Sequence, residues 1–162
     1  MQSVAQNSLN LDTSGGSQFL TFSLYHEEFG IEILRVQEIK GLSRITSIPN
    51  MPKHVQGVIN LRGTVVPIVD LRLRFNLPEA EYNQFTVIIV VTIGERTVGL
   101  VVDSVSDVLD VPTEDIEAAP QLGGDVDCSF LKGIAKSRDR LITLLDMDEI
   151  ICAEEVALQT AG

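Results

Sequence analysis

The sequence predicts an all-β fold of two similar small barrels on a shared hydrophobic core, ending in a helix, and three observations carry that prediction. Apolar residues make up 44% of the 162-residue chain, yet Trp is absent and Phe and Tyr number only 6 and 2. The core must therefore be built from Val, Ile and Leu, which suit pleated, half-buried surfaces. Short apolar runs recur between Gly, Pro, Asn and Asp, as strands do between turns. The third observation is an internal repeat. Phe29-Gly30-Ile31-Glu32-Ile33, with Val36 and Glu38-Ile39 beyond it, matches Val98-Gly99-Leu100-Val101-Val102, with Val105 and Asp107-Val108 beyond it, at a spacing of 69. Gly57-Val58 through Arg62, Val65-Val66, Ile68-Val69 and Asp70-Leu71 matches Gly133-Ile134 through Arg138, Leu141-Ile142, Leu144-Leu145 and Asp146-Met147 at a spacing of 76. One module of roughly 60 residues would bury only about 60% of its unfolded surface, so the two must share burial. Small units with open sheet edges close into barrels.

Taken in order, residues 1–17 are rich in Ser, Asn, Gln and Gly and are expected to form a mobile tail. A single domain is expected over 18–162, divided near 84 and 147 into two halves and a helix over 148–160. Phe19 to Leu24 reads as a strand, Tyr25 to Glu28 as a turn and Phe29 to Ile33 as the return. Leu34 to Ile39 fits a helical turn or a strand, and Gly41 to Pro52 is loop. Val55 to Phe75 is a hairpin feeding a short helix. Arg62-Gly63 makes its turn, Pro67 places its second strand at an edge or a bulge, and Asp70 caps the turn that follows. Asn76 to Gln84 is a connector. Phe85 to Ile93 is apolar enough for a strand buried on both faces, with Gly94-Glu95 suited to a type II′ turn. Thr97 to Val102 returns, a loop holds Pro112, Pro120 and Gly123-Gly124, and a second hairpin spans Phe130 to Leu145. Asp146 precedes Met147, Ile150, Ile151 and Leu158, which fall at helical spacing.

Charge and motifs narrow the function. With 12 basic and 23 acidic residues the net charge is −11, so nucleic acid and anionic membrane are repelled, and no apolar run is long enough for direct membrane insertion. No secretory signal opens the chain, which predicts a cytoplasmic protein whose Cys128 and Cys152 are reduced thiols. His26 and His54 have no nucleophile beside them. Asp103, Asp107, Asp110, Glu114, Asp115 and Glu117 lack calcium-loop order and read as a solvated acidic edge. Gly123-Gly124 lacks the lysine of a phosphate loop. No metal, cofactor or catalytic residue is expected, and the protein is not read as an enzyme. Binding has better material: Val36, Ile39 and Leu42 in the first half, and Val105, Val108 and Leu122 in the second, are apolar where turns and loops expose them. The repeat equivalents Val36 and Val105, and Ile39 and Val108, line a groove between the modules or complete the shared core. Glu38 and Arg62 are expected to form a salt bridge; the second-half counterpart is Asp107 with Arg138, where Asp139 and Arg140 offer competing partners, or else both are solvated turn charges.

Three segments, FLTFSLYHEEFGIEILRVQEIKG, VQGVINLRGTVVPIVDLR and VGLVVDSVSDVLDV, resemble the CheW-like coupling proteins of bacterial chemotaxis, over about Phe19 to Leu158. The NLRG-x-x-x-P-x-x-D-L core is the most specific part. The resemblance implies two SH3-like five-stranded β-barrels and an adaptor that joins the cytoplasmic tip of methyl-accepting chemoreceptors to the regulatory domain of the histidine kinase CheA. It implies recruitment to membrane receptor arrays through these partners. By the same resemblance Val36, Glu38, Ile39, Gly99, Val105 and Val108 face the receptor and Leu42, Gly57 and Leu122 the kinase, while Arg62 bridges to Glu38 or contacts a partner. Two other readings are a scaffold of the same kind in another receptor–kinase pathway, and a small cytoplasmic hydrolase using its acidic residues.

Overall fold

The computed structural model describes residues 16–118 and 131–150. Leu122, Cys128, Cys152, Gly123-Gly124 and all but the first turn of the expected C-terminal helix lie outside the described residues. Eleven strands are described: β1 (Gly16–Leu24), β2 (Glu27–Glu32), β3 (Val36–Gly41), β4 (Val55–Leu61), β5 (Thr64–Asp70), β6 (Val87–Ile93), β7 (Arg96–Val102), β8 (Ser104–Pro112), β9 (Ile116–Glu117), β10 (Leu131–Ser137) and β11 (Arg140–Leu145). Helical turns α1 (Leu71–Arg74) and α2 (Met147–Ile150) follow β5 and β11. The first strand takes in Gly16 and Ser17, so the expected tail boundary at 17 falls inside β1. The ambiguous 34–39 stretch divides into a 3-10 turn, Ile33–Arg35, and β3.

Two sheets form, ordered β8-β1-β2-β11-β10-β9 and β3-β6-β7-β5-β4. Each is assembled from both sequence halves, because the leading hairpin of one half is inserted between the strands of the other. The repeat spacings superpose five strands of each sheet, and the two-residue β9 is a sixth at the edge of the first sheet, beyond the five expected. Ile68 of β5 pairs in parallel with Gly99 of β7, and Leu144 of β11 pairs in parallel with Gly30 of β2. Both second hairpins bulge at the same repeat position, between Val55 and Gly57 and between Leu131 and Gly133.

Burial follows the same symmetry. Ile59, Leu61, Val66, Ile68, Ile88, Val90 and Val101 form a cluster within the five-stranded sheet, and Phe19, Val111, Ala135, Ile142 and Leu144 form its counterpart in the other. The largest cluster lies between the sheets, drawing Leu20, Phe22 and Ile31 from one, Val69, Ile89, Val91 and Leu100 from the other, and Leu71, Met147 and Ile150 from the helical turns. Burying each such aliphatic contributes about 1.5 to 3 kcal/mol. Along β6, Ile88 and Val90 face the inner cluster and Ile89 and Val91 the shared one, which accounts for its unbroken apolar run. Each sheet thus encloses its own interior and lends its outer face to a common core, in keeping with the SH3-like plan.

Local signals act as the sequence suggests. The Asp70 carboxylate accepts from the Arg72 N–H at 2.9 Å, and Asp146 caps α2 through the Asp148 N–H at 3.0 Å. Gly94 has φ 62 in the β6–β7 turn. Pro67 corrects one expectation, since β5 lies inside its sheet, between β7 and β4, and the bulge of that hairpin is on β4. Val58, opposite Pro67, turns its own N–H and C=O outward to Thr46. The Pro67 nitrogen therefore faces the other side, just before parallel pairing with β7 begins at Ile68, where no ladder bond is required of it.

Candidate functional site

The outer strands β3 and β8 carry most of the residues singled out for partner contact. They are repeat equivalents at the free edges of different sheets. Ile39, opposite Ile89, is 43% exposed, and Val108, opposite Leu20, is 48% exposed. Val36 and Val105 are half-buried and pack against the shared core from the two sheets. The positions thus divide: Val36 and Val105 pack on the shared core, and Ile39 and Val108 stand exposed. Leu42, 36% exposed, follows β3 in the loop.

Charge closes each sheet on itself. In the five-stranded sheet β3 and the β4–β5 hairpin are at opposite ends, yet Arg62 Nη2 donates to Glu38 Oε2 at 2.5 Å. Arg62 occupies the left-handed region, φ 50, at the hairpin turn. Its guanidinium holds the Glu38 carboxyl below the usual range, and Glu38 raises Arg62 in return. Gln37, at the β3 bulge, donates to the Thr92 and Thr97 hydroxyls at 2.7 and 3.2 Å. A recess of about 190 Å³ lies beside Gln37, Arg62, Thr64 and Thr97.

The second sheet closes through one of the competing partners. Asp107 pairs with Arg140 at 3.1 Å, and Arg140 also holds Glu28 at 2.8 Å. Arg138 sits in the turn at φ 58. The carboxylate is reached from Arg140, the first residue of β11, which bridges to Glu28 of β2 and Asp107 of β8. Thr21, fully buried, fills the irregularity in the β1–β8 ladder, donating to the Asp107 carboxylate at 2.5 Å and accepting the Asp107 N–H at 3.1 Å. Arg140 and then Thr21 lower the Asp107 pKa. Asp103 pairs with Arg72 at 2.6 Å and Glu117 with Lys136 at 2.6 Å. The acidic stretch is therefore not simply a solvated edge.

Two glycines assigned to partner surfaces are buried. A Cβ on Gly99 would lie 2.6 Å from Ile68 Cδ1 and 2.9 Å from Ile88 Cγ2. Gly57 has φ +141, and a Cβ there would lie 2.0 Å from the Thr46 carbonyl oxygen. Both are glycine so that strands can approach closely, and neither presents a side-chain face to a receptor or kinase. Sequence reasoning also missed Val65 and Leu141, 62% and 64% exposed. They are repeat equivalents beside the hairpin turns, and the repeat alignment was the signal that could have found them.

Among the described residues no group of three His, Cys, Asp or Glu could hold a metal ion. A cleft of about 460 Å³ lies between α1 and the 76–86 connector. Its Tyr82 hydroxyl donates to Asp70 at 2.7 Å, and burial, then this bond, raise the Tyr82 pKa. The duplicated β architecture, with paired exposed aliphatics on two outer strands, defines a protein-binding module. The CheW-like domain profile matches residues 18–155, and the chain belongs to that family. It is 44% identical over 143 residues to the chemotaxis protein CheW of Klebsiella aerogenes, covering 88% of this chain and 86% of that one. To the Rhizobium meliloti CheW it is 41% identical, covering 88% and 92%. The protein FrzA of Myxococcus xanthus is similar at 29% identity, covering 83% and 84%. Among solved structures, the scaffolding protein TtCheW of Thermoanaerobacter tengcongensis superposes with a TM-score of 0.77 at 34% identity, covering 83% of this chain and 91% of that one.

Proposed function

We propose that the protein is a chemotaxis adaptor that couples methyl-accepting receptors to the histidine kinase CheA, with no catalytic step of its own. The observation that carries this reading is the pairing of Ile39 with Val108 as exposed aliphatics at equivalent positions of two outer strands, flanking the half-buried Val36 and Val105. An amphipathic receptor helix laid against such a surface would bury aliphatics at helical spacing. Glu38 and Arg62 hold the β3 end of this surface in shape. Leu42 and Leu122 are assigned to the kinase domain, with Gly57 acting through the backbone it brings against Thr46. No helix among the described residues is long and apolar enough to cross a membrane, and recruitment to receptor arrays from the cytoplasm would run through the partners. Array assembly is polyvalent, so weak single contacts suffice.

The test is reconstitution of receptor membranes, CheA and this protein with and without attractant. Kinase activity that rises with the adaptor in proportion to its amount and falls with attractant is the expected result. Turnover by the adaptor alone, or no effect on receptor-coupled kinase, would sink the reading. The same assay with receptors of another pathway separates the alternative scaffold.

A further inference from the structure

The chain passes between the two sheets twice in the described residues at closely matched places, and at each crossing an arginine–aspartate pair ties it to the helical turn of the other half. At the first, Ile33–Arg35 leads from β2 to β3, and Arg35 Nη1 and Nη2 donate to Asp148 of α2 at 3.1 and 3.0 Å. At the second, the single residue Asp103 separates β7 from β8, and it accepts from Arg72 Nε and Nη2 of α1 at 2.8 and 2.6 Å. Asp103 also accepts the Tyr25 N–H at 2.9 Å. Arg72 and Asp148 are equivalent at the repeat spacing of 76, and their N–H groups are bound alike by Asp70 and Asp146. The geometry is duplicated, but the charges are exchanged. The crossing is cationic and the helical turn anionic in one clamp, and the reverse holds in the other.

We infer that Arg35, Asp148, Arg72 and Asp103 are positioning residues that make the two halves accept only each other. Because the halves share a strand plan, a first half could close on the first half of a second copy in the same exchanged manner. That pairing would set Arg35 against Arg72, and two second halves would set Asp103 against Asp148. Like charges held at bidentate distance oppose both homotypic assemblies, while the heterotypic closure within one chain satisfies both pairs. Opposed charges give repeated elements partner choice in this way wherever the packing surfaces are otherwise alike. Correct closure is also what brings Val36, next to Arg35, and Val105, two residues beyond Asp103, to the same shared cluster.

Reversing one clamp at a time tests this. Arg35→Asp/Asp148→Arg and Arg72→Asp/Asp103→Arg each keep an ion pair in place but give both clamps one polarity, so homotypic closure becomes attractive. The full chain is unfolded in urea, refolded over a range of protein concentrations and analysed by size-exclusion chromatography with light scattering. Each double variant should gain a dimer fraction, rising with concentration, beyond that of the wild type. The quadruple variant, with both clamps reversed, restores opposite polarity and should refold with the wild-type distribution. Double variants that refold like the wild type, or a quadruple variant that dimerises as much as they do, would overturn the inference. The readout needs no receptor or kinase, so failure of the adaptor reading would leave it standing.

Discussion

Glu38 and Arg62 belong to opposite ends of a five-stranded sheet, yet their charged atoms meet at 2.5 Å. The pair is a measure of how far the sheet has curled. Both groups are exposed enough that solvent screening leaves the pair with little effect on stability, so its effect is expected on shape. Arg62→Ala should leave the melting midpoint nearly unchanged and weaken receptor co-sedimentation a few-fold. Glu38→Arg combined with Arg62→Glu should recover most of that loss. A variant that melts early would show that the pair supports the fold.

Gly99 and Gly57 separate packing from contact. Gly99→Ala inserts a methyl group into a space bounded by Ile68 and Ile88, an overpacking that costs about 1 to 3 kcal/mol. Gly57→Asp combines a left-handed backbone with a clash against the Thr46 carbonyl and should cost more. Thermal unfolding checks both. If either variant melted like the wild type while losing one partner, the glycine would be a surface determinant after all.

Val108 is expected to behave in the opposite way. At 48% exposure, Val108→Asp should leave the unfolding curve intact and lower receptor co-sedimentation, whereas Val105→Asp, placed against the shared core, should lower both. Calorimetry alongside the binding assay distinguishes them. Cooperative loss of fold in Val108→Asp would move that residue into the core.

Acid should loosen the molecule where its carboxylates are paired. Burial opposes the charge on Asp103, and the Arg72 guanidinium and Tyr25 N–H outweigh it, leaving the pKa lowered. Asp107 is lowered by Arg140 and Thr21. A carboxyl whose folded pKa is depressed contributes stability that is full above the unfolded value near pH 4. That contribution is lost as pH falls through the depressed value. Urea unfolding midpoints should therefore decline below about pH 4, and Asp107→Asn should flatten part of the decline. Equal slopes in variant and wild type would argue against the pairing of Asp107.

Much of the fold was legible because it rests on local chemistry. Asp70 precedes a helical turn and caps it, Gly94 takes the positive φ its turn requires, and the apolar run of β6 is buried on both faces. The repeat led to two equivalent sheets, and the Glu38–Arg62 pair followed from it. What escaped the sequence depends on neighbours that lie far along the chain. Gly99 and Gly57 read as surface positions because nothing near them in the chain reveals Ile68 or Thr46 at contact distance. The repeat points Asp107 to Arg138 and leaves Arg140 only as a competitor, because Thr64, not a basic residue, is the first-half equivalent of Arg140. Pro67 suggested an edge or a bulge because spacing alone cannot say on which side its missing N–H falls.

The hairpin exchange makes this a chain that could be severed without coming apart. Asn76 to Gln84 contains no strand or helix, and it is the link between pieces that each hold strands of both sheets. Either piece alone would carry vacant places where the other's hairpin belongs. Two separately produced polypeptides, divided within that link, would thus be obliged to find each other before either had a finished interior, and the adaptor could be switched on by bringing its fragments together.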